Sequence, residues 1–539
     1  MKRLLLACAV LPLCLAPAFA DDKSDEPRLI TDKYFKPEEV RTTGSVTIGG
    51  NRIDYQAVAG TLVVHPRDWD DVPKPAADKG DKDDKSDGEG GSDAEAAMSY
   101  VAYFKAGTAP GSRPVTFIFN GGPGSATVWL HMGAFGPKRV VTSEDSHTPA
   151  APYGIVNNDE SILDVTDMVF IDAPGTGFGR IAGKEKEDAF YSVDADAYAF
   201  SEFISQFLTK FSLWNAPKYL FGESYGTTRA AVLVNMLQDE RDIDFNGVMM
   251  LSQILNFDLS PDGPSSNPGV DLPYQLALPT YAATAWYHKL LPDYQGDVRT
   301  LLDEVEQFAL TDYALALQAG ADLPEDRRNA VAEQLHRYTG LPVAYILKAN
   351  LRIEGGVFEK NLQDATGITT GRLDTRFSGP TIDPLSKDAD YDPQSAAISS
   401  AYVSAFNHYA RTELKFGGDR RYKPSAGLWR FWNFQHTPPG DDRPAQQAAN
   451  VMPDLAVAMK TNPTLHVQLH AGYYDLATPY FEGVYEMKHL AIPKELQGNI
   501  EYKFYDSGHM VYAHEDSMKI LHDTVAEFVT RTDNLTVQP

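Results

Sequence analysis

The stretch that most constrains the fold runs over residues 218–238. Lys218-Tyr219-Leu220-Phe221 reads as a short strand and Gly222-Glu223-Ser224-Tyr225-Gly226 as a sharp turn. Residues 227–238 lack Gly and Pro and read as about three turns of helix. G-x-S-x-G between a strand and a helix has a mechanical meaning: the glycines leave room for a strained turn that lifts a serine hydroxyl out of the backbone. Ser224 is therefore the candidate nucleophile, the bland alternative being a serine that only caps the helix. A hydroxyl is a weak nucleophile at neutral pH, so the chain must also supply a base, an acid to orient it and an oxyanion site.

The surrounding pattern is that of an α/β chain. Residues 114–119, 167–171 and 247–254 are near-continuous apolar runs, as in strands buried on both faces. They alternate with helical periodicity, clearest at 194–211, where Tyr198, Phe200, Phe203, Ile204, Phe207, Leu208 and Phe211 recur along one face. Such alternation predicts a parallel sheet. Upstream, 44–48, 52–58 and 60–64 alternate in polarity around a Gly49-Gly50 turn and 99–105 resumes an extended pattern, so the N-terminal strands are expected to be antiparallel. From 272 to about 416 helical segments dominate (274–290, 298–319, 326–338 and 394–414), a block the size of an inserted cap. A helix at 445–460, strands at 465–470 and 500–505 and a helix at 514–530 close the chain. The expected organisation is a leader at 1–20, a first core part at 21–258, a helical cap at 259–425 and a second core part at 426–539.

Each of the last two strands runs into a short loop. One is Ala471-Gly472-Tyr473-Tyr474-Asp475, the other Asp506-Ser507-Gly508-His509-Met510. Loops at the carboxyl ends of parallel strands converge, which would bring Ser224, Asp475 and His509 together in the chain order of an α/β-hydrolase triad. The N–H of Tyr225 and one from Gly121-Gly122 would face the oxyanion. Gly122 is preferred, although spacing alone does not choose between the two glycines.

Other features narrow the function class. Lys2-Arg3, an apolar run over 4–17 and Ala18-Phe19-Ala20 form a secretory leader, so export to a periplasm or medium is expected. No later run is long and apolar enough to span a bilayer. Cys8 and Cys14 both lie in the leader, which leaves a mature chain without disulfides or cysteine chemistry. The formal charge of −26, −28 without Lys2 and Arg3, argues against nucleic acid or an anionic membrane as partner. Residues 71–95 carry nine acids, four lysines and almost nothing to bury, and read as a disordered loop between two strands. A calcium-loop reading fails there because Lys85 stands at the third ligand position. The glycines of 172–179 do not have the spacing of a dinucleotide fingerprint, and neither a cofactor nor a metal is expected.

Asn120-Gly121-Gly122-Pro123-Gly124-Ser125, Gly222-Glu223-Ser224-Tyr225-Gly226, Ala471-Gly472-Tyr473-Tyr474-Asp475 and Ser507-Gly508-His509-Met510 together resemble the serine carboxypeptidase family. The resemblance implies an α/β-hydrolase, of bacterial secreted type here, that removes C-terminal residues from peptides. By analogy Asn120 and Glu223 would hydrogen-bond the substrate's terminal carboxylate, and Met510 would line the leaving-residue pocket. The chain departs from the family at Ser125, where a cysteine is usual, and at Ala134, where a second carboxylate-recognition acid is usual; His131 nearby could offer a cationic donor instead. The expected activity is a carboxypeptidase acting on a peptide or small acyl substrate. An esterase or amidase on the same triad is the near alternative, and a catalytically silent binding protein a more distant one.

Overall fold

Strands buried on both faces need helices above and below them, and the chain supplies both. The computed structural model describes residues 34–67, 69 and 94–535. The expected leader lies outside these residues, as does the acidic segment 71–95 apart from Ala94 and Glu95. One sheet contains β1 (Glu39–Ile48), β2 (Asn51–Val64), β3 (Glu95–Lys105), β4 (Val115–Phe119), β5 (Asp167–Ile171), β6 (Arg180–Ala182), β7 (Lys218–Glu223), β8 (Gly247–Leu251), β9 (His466–Gly472) and β10 (Ile500–Tyr505). Their order is β1-β2-β3-β5-β4-β7-β8-β9-β10, with β6 paired to the start of β3. β1, β2 and β3 pair antiparallel, β3 meets β5 antiparallel, and every pairing from β5 to β10 is parallel. This is the α/β-hydrolase fold.

Alternation along each strand divides the core between the two faces. In β8, Val248 and Met250 join a cluster containing Phe200, Phe203 and Phe207 of α1 (Val193–Phe211) and Leu233 and Leu237 of α2 (Tyr225–Arg241). Met249 and Leu251 point the other way, into a cluster with Leu521, Val525 and Phe528 of the last helix (Glu515–Thr532). Each fully buried Phe contributes about 1.5–3 kcal/mol. α1 starts at Ser192, whose hydroxyl accepts the N–H of Ala195 at 3.1 Å. Between β8 and β9 the chain leaves the sheet through α3 (Leu272–Tyr287), α4 (Val298–Phe308), α5 (Glu325–Thr339), α6 (Pro393–Thr412) and α7 (Met452–Thr461). Among the described residues no helix is long and apolar enough to cross a membrane.

Several local expectations are corrected. The strands expected at 52–58 and 60–64 are one strand, β2, because Ala59 and Gly60 are each paired on both sides, Ala59 to Val40 and Val101 and Gly60 to Glu39 and Tyr100. A Cβ on Gly60 would lie 2.6 Å from Glu38 O, so glycine is a requirement of the pairing and not a break. Glu95 belongs to β3, not to the acidic loop. The helix expected over 298–319 widens into a π-type turn at Ala309–Tyr313. The helix expected from 445 begins only at Met452, since Pro453 is tolerated only in a first turn. The helix α8 (Tyr480–Lys488) was not anticipated. The glycines of 172–179 serve packing: a Cβ on Gly177 would lie 1.9 Å from the Asp172 carboxylate.

Candidate active site

Ser224 sits where β7 passes into α2, at φ 61° and ψ −132°, a conformation a non-glycine residue keeps only when its surroundings hold it. Its N–H donates to Leu251 O at 2.9 Å and its carbonyl accepts the N–H of Thr227 at 2.7 Å. A Cβ on Gly222 would lie 2.2 Å from Gly226 O, so the flanking glycines are sterically required. The side chain is partly open to solvent, and among the described residues its hydroxyl has no hydrogen-bond partner.

The end of β8 links this elbow to the loop after β10. Ser252, next to the Leu251 that holds Ser224, donates its hydroxyl to His509 O at 2.7 Å. His509 Nδ1 lies 2.8 Å from Asp475 Oδ2, and both residues are buried. Oδ1 of Asp475 accepts the N–H groups of Ala477 and Thr478 at 2.9 and 3.0 Å, and Oδ2 accepts the Thr478 hydroxyl at 2.7 Å. With Asp475 immobilised as an acceptor, His509 carries its proton on Nδ1 and leaves Nε2 as the basic nitrogen. Burial disfavours the imidazolium, but the charge and hydrogen bond of Asp475 together with the charge of Glu223 raise His509 above its ordinary value.

A strap from the long excursion, residues 371–377, spans both late loops. Leu476 N–H donates to Arg372 O at 3.0 Å, Thr375 N–H to Tyr474 O at 2.9 Å and His509 N–H to Leu373 O at 2.6 Å. The buried Asp374 carboxylate accepts Gly508 N–H at 3.1 Å and pairs with Arg376 at 2.6 Å, while Arg376 Nη1 donates to Asp506 O at 3.0 Å. Arg376→Met should therefore strand a buried charge and destabilise the protein by about 3–5 kcal/mol, whereas the double replacement with Asp374→Asn should recover most of that loss. Urea denaturation of the three proteins checks this; equal stability of single and double variants would refute it.

The turn after β4 meets the start of α2 backbone to backbone. A Cβ on Gly121 would lie 2.4 Å from Tyr225 N, and Gly122 adopts φ 110°, where a side chain is strained. Tyr225 is the first residue of α2, so the helix leaves its N–H unused. Asn120 Nδ2 donates to Glu223 Oε2 at 2.9 Å, and the Tyr512 hydroxyl donates to the same oxygen at 2.8 Å. Burial pushes the Glu223 carboxyl up to about 7, against the opposing pull of His509 and of these two hydrogen bonds. Met510 is buried immediately after His509, in the same apolar cluster as Tyr512.

His131 does not stand in for the missing acid. Its ring stacks on Phe170 with centroids 4.3 Å apart, its Nε2 lies 2.8 Å from the Tyr103 hydroxyl, and burial lowers its pKa to about 3. A neutral core histidine offers no cation. The support beneath Asn120 was likewise missed: the fully buried Arg229 pairs with Asp196 at 2.6 Å and donates to Asn120 O at 2.8 Å. A single charge on each of two otherwise apolar helix faces was the signal that could have found this pair. Thr478, Ser252, Asp374, Arg376 and Tyr512 were missed too. Only Thr478, three residues after Asp475, had a local sign, that of a side chain capping its own turn.

Sheet order, a strained serine elbow and a buried Asp–His pair define the class, an α/β-hydrolase fold with a serine-hydrolase type of site. Within that class the resemblance to the serine carboxypeptidases holds: residues 90–260 match the model of the serine carboxypeptidase family, a segment with Asn120, Gly122, Glu223, Ser224 and Tyr225 but not Asp475 or His509. A carboxypeptidase Y homolog of Arthroderma benhamiae is 28% identical over 153 residues, a match spanning only 28% of this chain and 28% of that relative. Similar solved structures include a lipase in its open form (15% identity, 81% of this chain and 96% of that one, TM-score 0.30). They also include a proline iminopeptidase from Mycobacterium smegmatis (12%, 91% and 99%, TM-score 0.31) and a carboxyl esterase from Bacillus coagulans (10%, 88% and 98%, TM-score 0.33). At these TM-scores the fold assignment rests on the strand order and not on the likeness.

Proposed function

We propose that the chain is an exported serine carboxypeptidase, working through an acyl-enzyme. Ser224 attacks the carbonyl carbon of the last peptide bond, His509 Nε2 takes the hydroxyl proton and Asp475 stabilises the imidazolium that forms. The N–H groups of Tyr225 and Gly122 receive the oxyanion. His509 passes its proton to the leaving amine, the C–N bond breaks, and a water activated by His509 releases the peptide acid and restores Ser224. The observation that carries this reading is the buried 2.8 Å contact of His509 Nδ1 with an Asp475 whose oxygens are fixed by three further donors.

Glu223 supports exopeptidase action. A carboxylate substrate meets it favourably only when Glu223 is protonated, because two ionised carboxylates at hydrogen-bonding distance repel. Glu223, pushed up to about 7, is protonated below that pH and loses its proton above it. Cleavage of free-acid peptides should therefore fall about tenfold per unit above pH 7. It should also fall at low pH, where His509 is protonated, and the two groups act on each other, so both limbs belong to the pair. With Ala134 in place of a second acid, amidated and esterified C-termini should be cleaved as well, without the alkaline limb. Measuring kcat/KM on matched blocked dipeptide acids, amides and esters tests this. Amide and ester hydrolysis with none of the free acid at any pH would replace the reading with an esterase or amidase.

A further inference from the structure

Removal of the second acid leaves open what fixes the first. Glu223 Oε2 has two lone pairs and receives two donors, the Asn120 amide at 2.9 Å and the Tyr512 hydroxyl at 2.8 Å. Oε1 receives none among the described residues. A proton on the carboxyl must then sit on Oε1, the oxygen with no internal partner, where it can be donated to an incoming carboxylate. Tyr512 is itself held by packing: its ring lies on Gly133, the neighbour of Ala134, so closely that a Cβ there would lie 2.6 Å from it and 2.8 Å from the Tyr402 ring.

We propose that Tyr512 positions the one recognition acid that remains: its hydroxyl, with Asn120, locks Glu223 through Oε2 and thereby directs the Oε1 proton toward the terminal carboxylate of the substrate. This rests on the carboxypeptidase reading. Tyr512 acts through Glu223 and needs no contact with substrate. It also acts on the range over which the site works. The groups that bear on the Glu223 charge are His509 and Asp475 from the two late loops, Tyr512 and Asn120 by hydrogen bonds, and Tyr402 from α6. Of these, the Tyr512 hydrogen bond favours the ionised carboxylate, so its loss raises the Glu223 pKa further.

Tyr512→Phe keeps the ring on Gly133 and removes only the hydroxyl. At pH 5–6 the KM for a free-acid dipeptide should rise about tenfold with kcat little changed, since an unlocked carboxyl can place its proton on either oxygen. The matched ester should lose much less. The alkaline limb for the free acid should move upward by about one pH unit, the direction that a merely weakened fold would not produce. The carbonyl stretch of protonated Glu223, followed by infrared titration and assigned with Glu223→Gln, should disappear at correspondingly higher pH. An unmoved limb together with an unmoved stretch overturns the proposal, as does equal loss on acid and ester. If the parent shows no alkaline limb on free acids while the stretch still shifts in Tyr512→Phe, the carboxypeptidase reading fails and the coupling of Tyr512 to Glu223 stands.

Discussion

Ser224→Ala should lower turnover by roughly ten-thousand- to million-fold and leave the denaturation midpoint where it was. In the proposed mechanism the loss is large because the hydroxyl forms the covalent intermediate, and without it His509 and Asp475 have no nucleophile to activate. The fold should not register the change. The hydroxyl has no hydrogen-bond partner among the described residues, and alanine is no more strained than serine at φ 61°, ψ −132°. The elbow is held by Leu251 O, by Thr227 N–H and by the contact of Gly222 with Gly226, none of which involves the side chain. Retention of more than about one per cent of parental kcat, on any substrate the parent cleaves, would be incompatible with Ser224 as nucleophile.

Asp475→Asn should cost about ten-thousandfold in kcat with little change in stability. Oδ1 of Asp475 accepts two backbone N–H groups, so the amide oxygen of asparagine must occupy that side. Its NH2 then faces the Thr478 hydroxyl and His509 Nδ1, where Oδ2 now stands. The hydroxyl reverses its role and accepts, but the imidazole must present a lone pair at Nδ1 and carry its proton on Nε2. In that tautomer it cannot take the Ser224 proton. Steady-state kinetics beside thermal denaturation checks both halves, and a loss below tenfold would show that a group other than Asp475 orients the imidazole.

The elements that position Ser224, Asp475 and His509 were legible in the sequence because their signals are local. The glycines around Ser224 mark a turn that tolerates no Cβ at Gly222, and the near-continuous apolar runs of β4, β5, β7 and β8, buried at every position, do not alternate as surface strands do. Two short loops after late strands sufficed to single out Asp475 and His509. What escaped is contact made across long sequence distances. Tyr512 reaches Glu223 from the far end of the chain, and the strap at 371–377 reaches both late loops from within a helical excursion that carries no motif. His131 shows the converse: its position beside Ala134 suggested a cation, but burial against Phe170 and Tyr103 makes it neutral. Spacing along a chain does not say which face of a sheet a side chain will occupy once a wide turn such as Leu130–Phe135 intervenes.

The central claim, that Ser224 is a nucleophile activated by His509 and Asp475, is tested most directly with a fluorophosphonate probe. Such a reagent modifies a serine only where a base withdraws its proton and an oxyanion site receives the phosphoryl oxygen. Digestion and mass spectrometry of the labelled protein should find about one probe per chain on the peptide containing Ser224, with no label on Ser224→Ala and strongly slowed labelling of Asp475→Asn. An unlabelled parent, or a label on a different serine that persists in Ser224→Ala, would contradict the account.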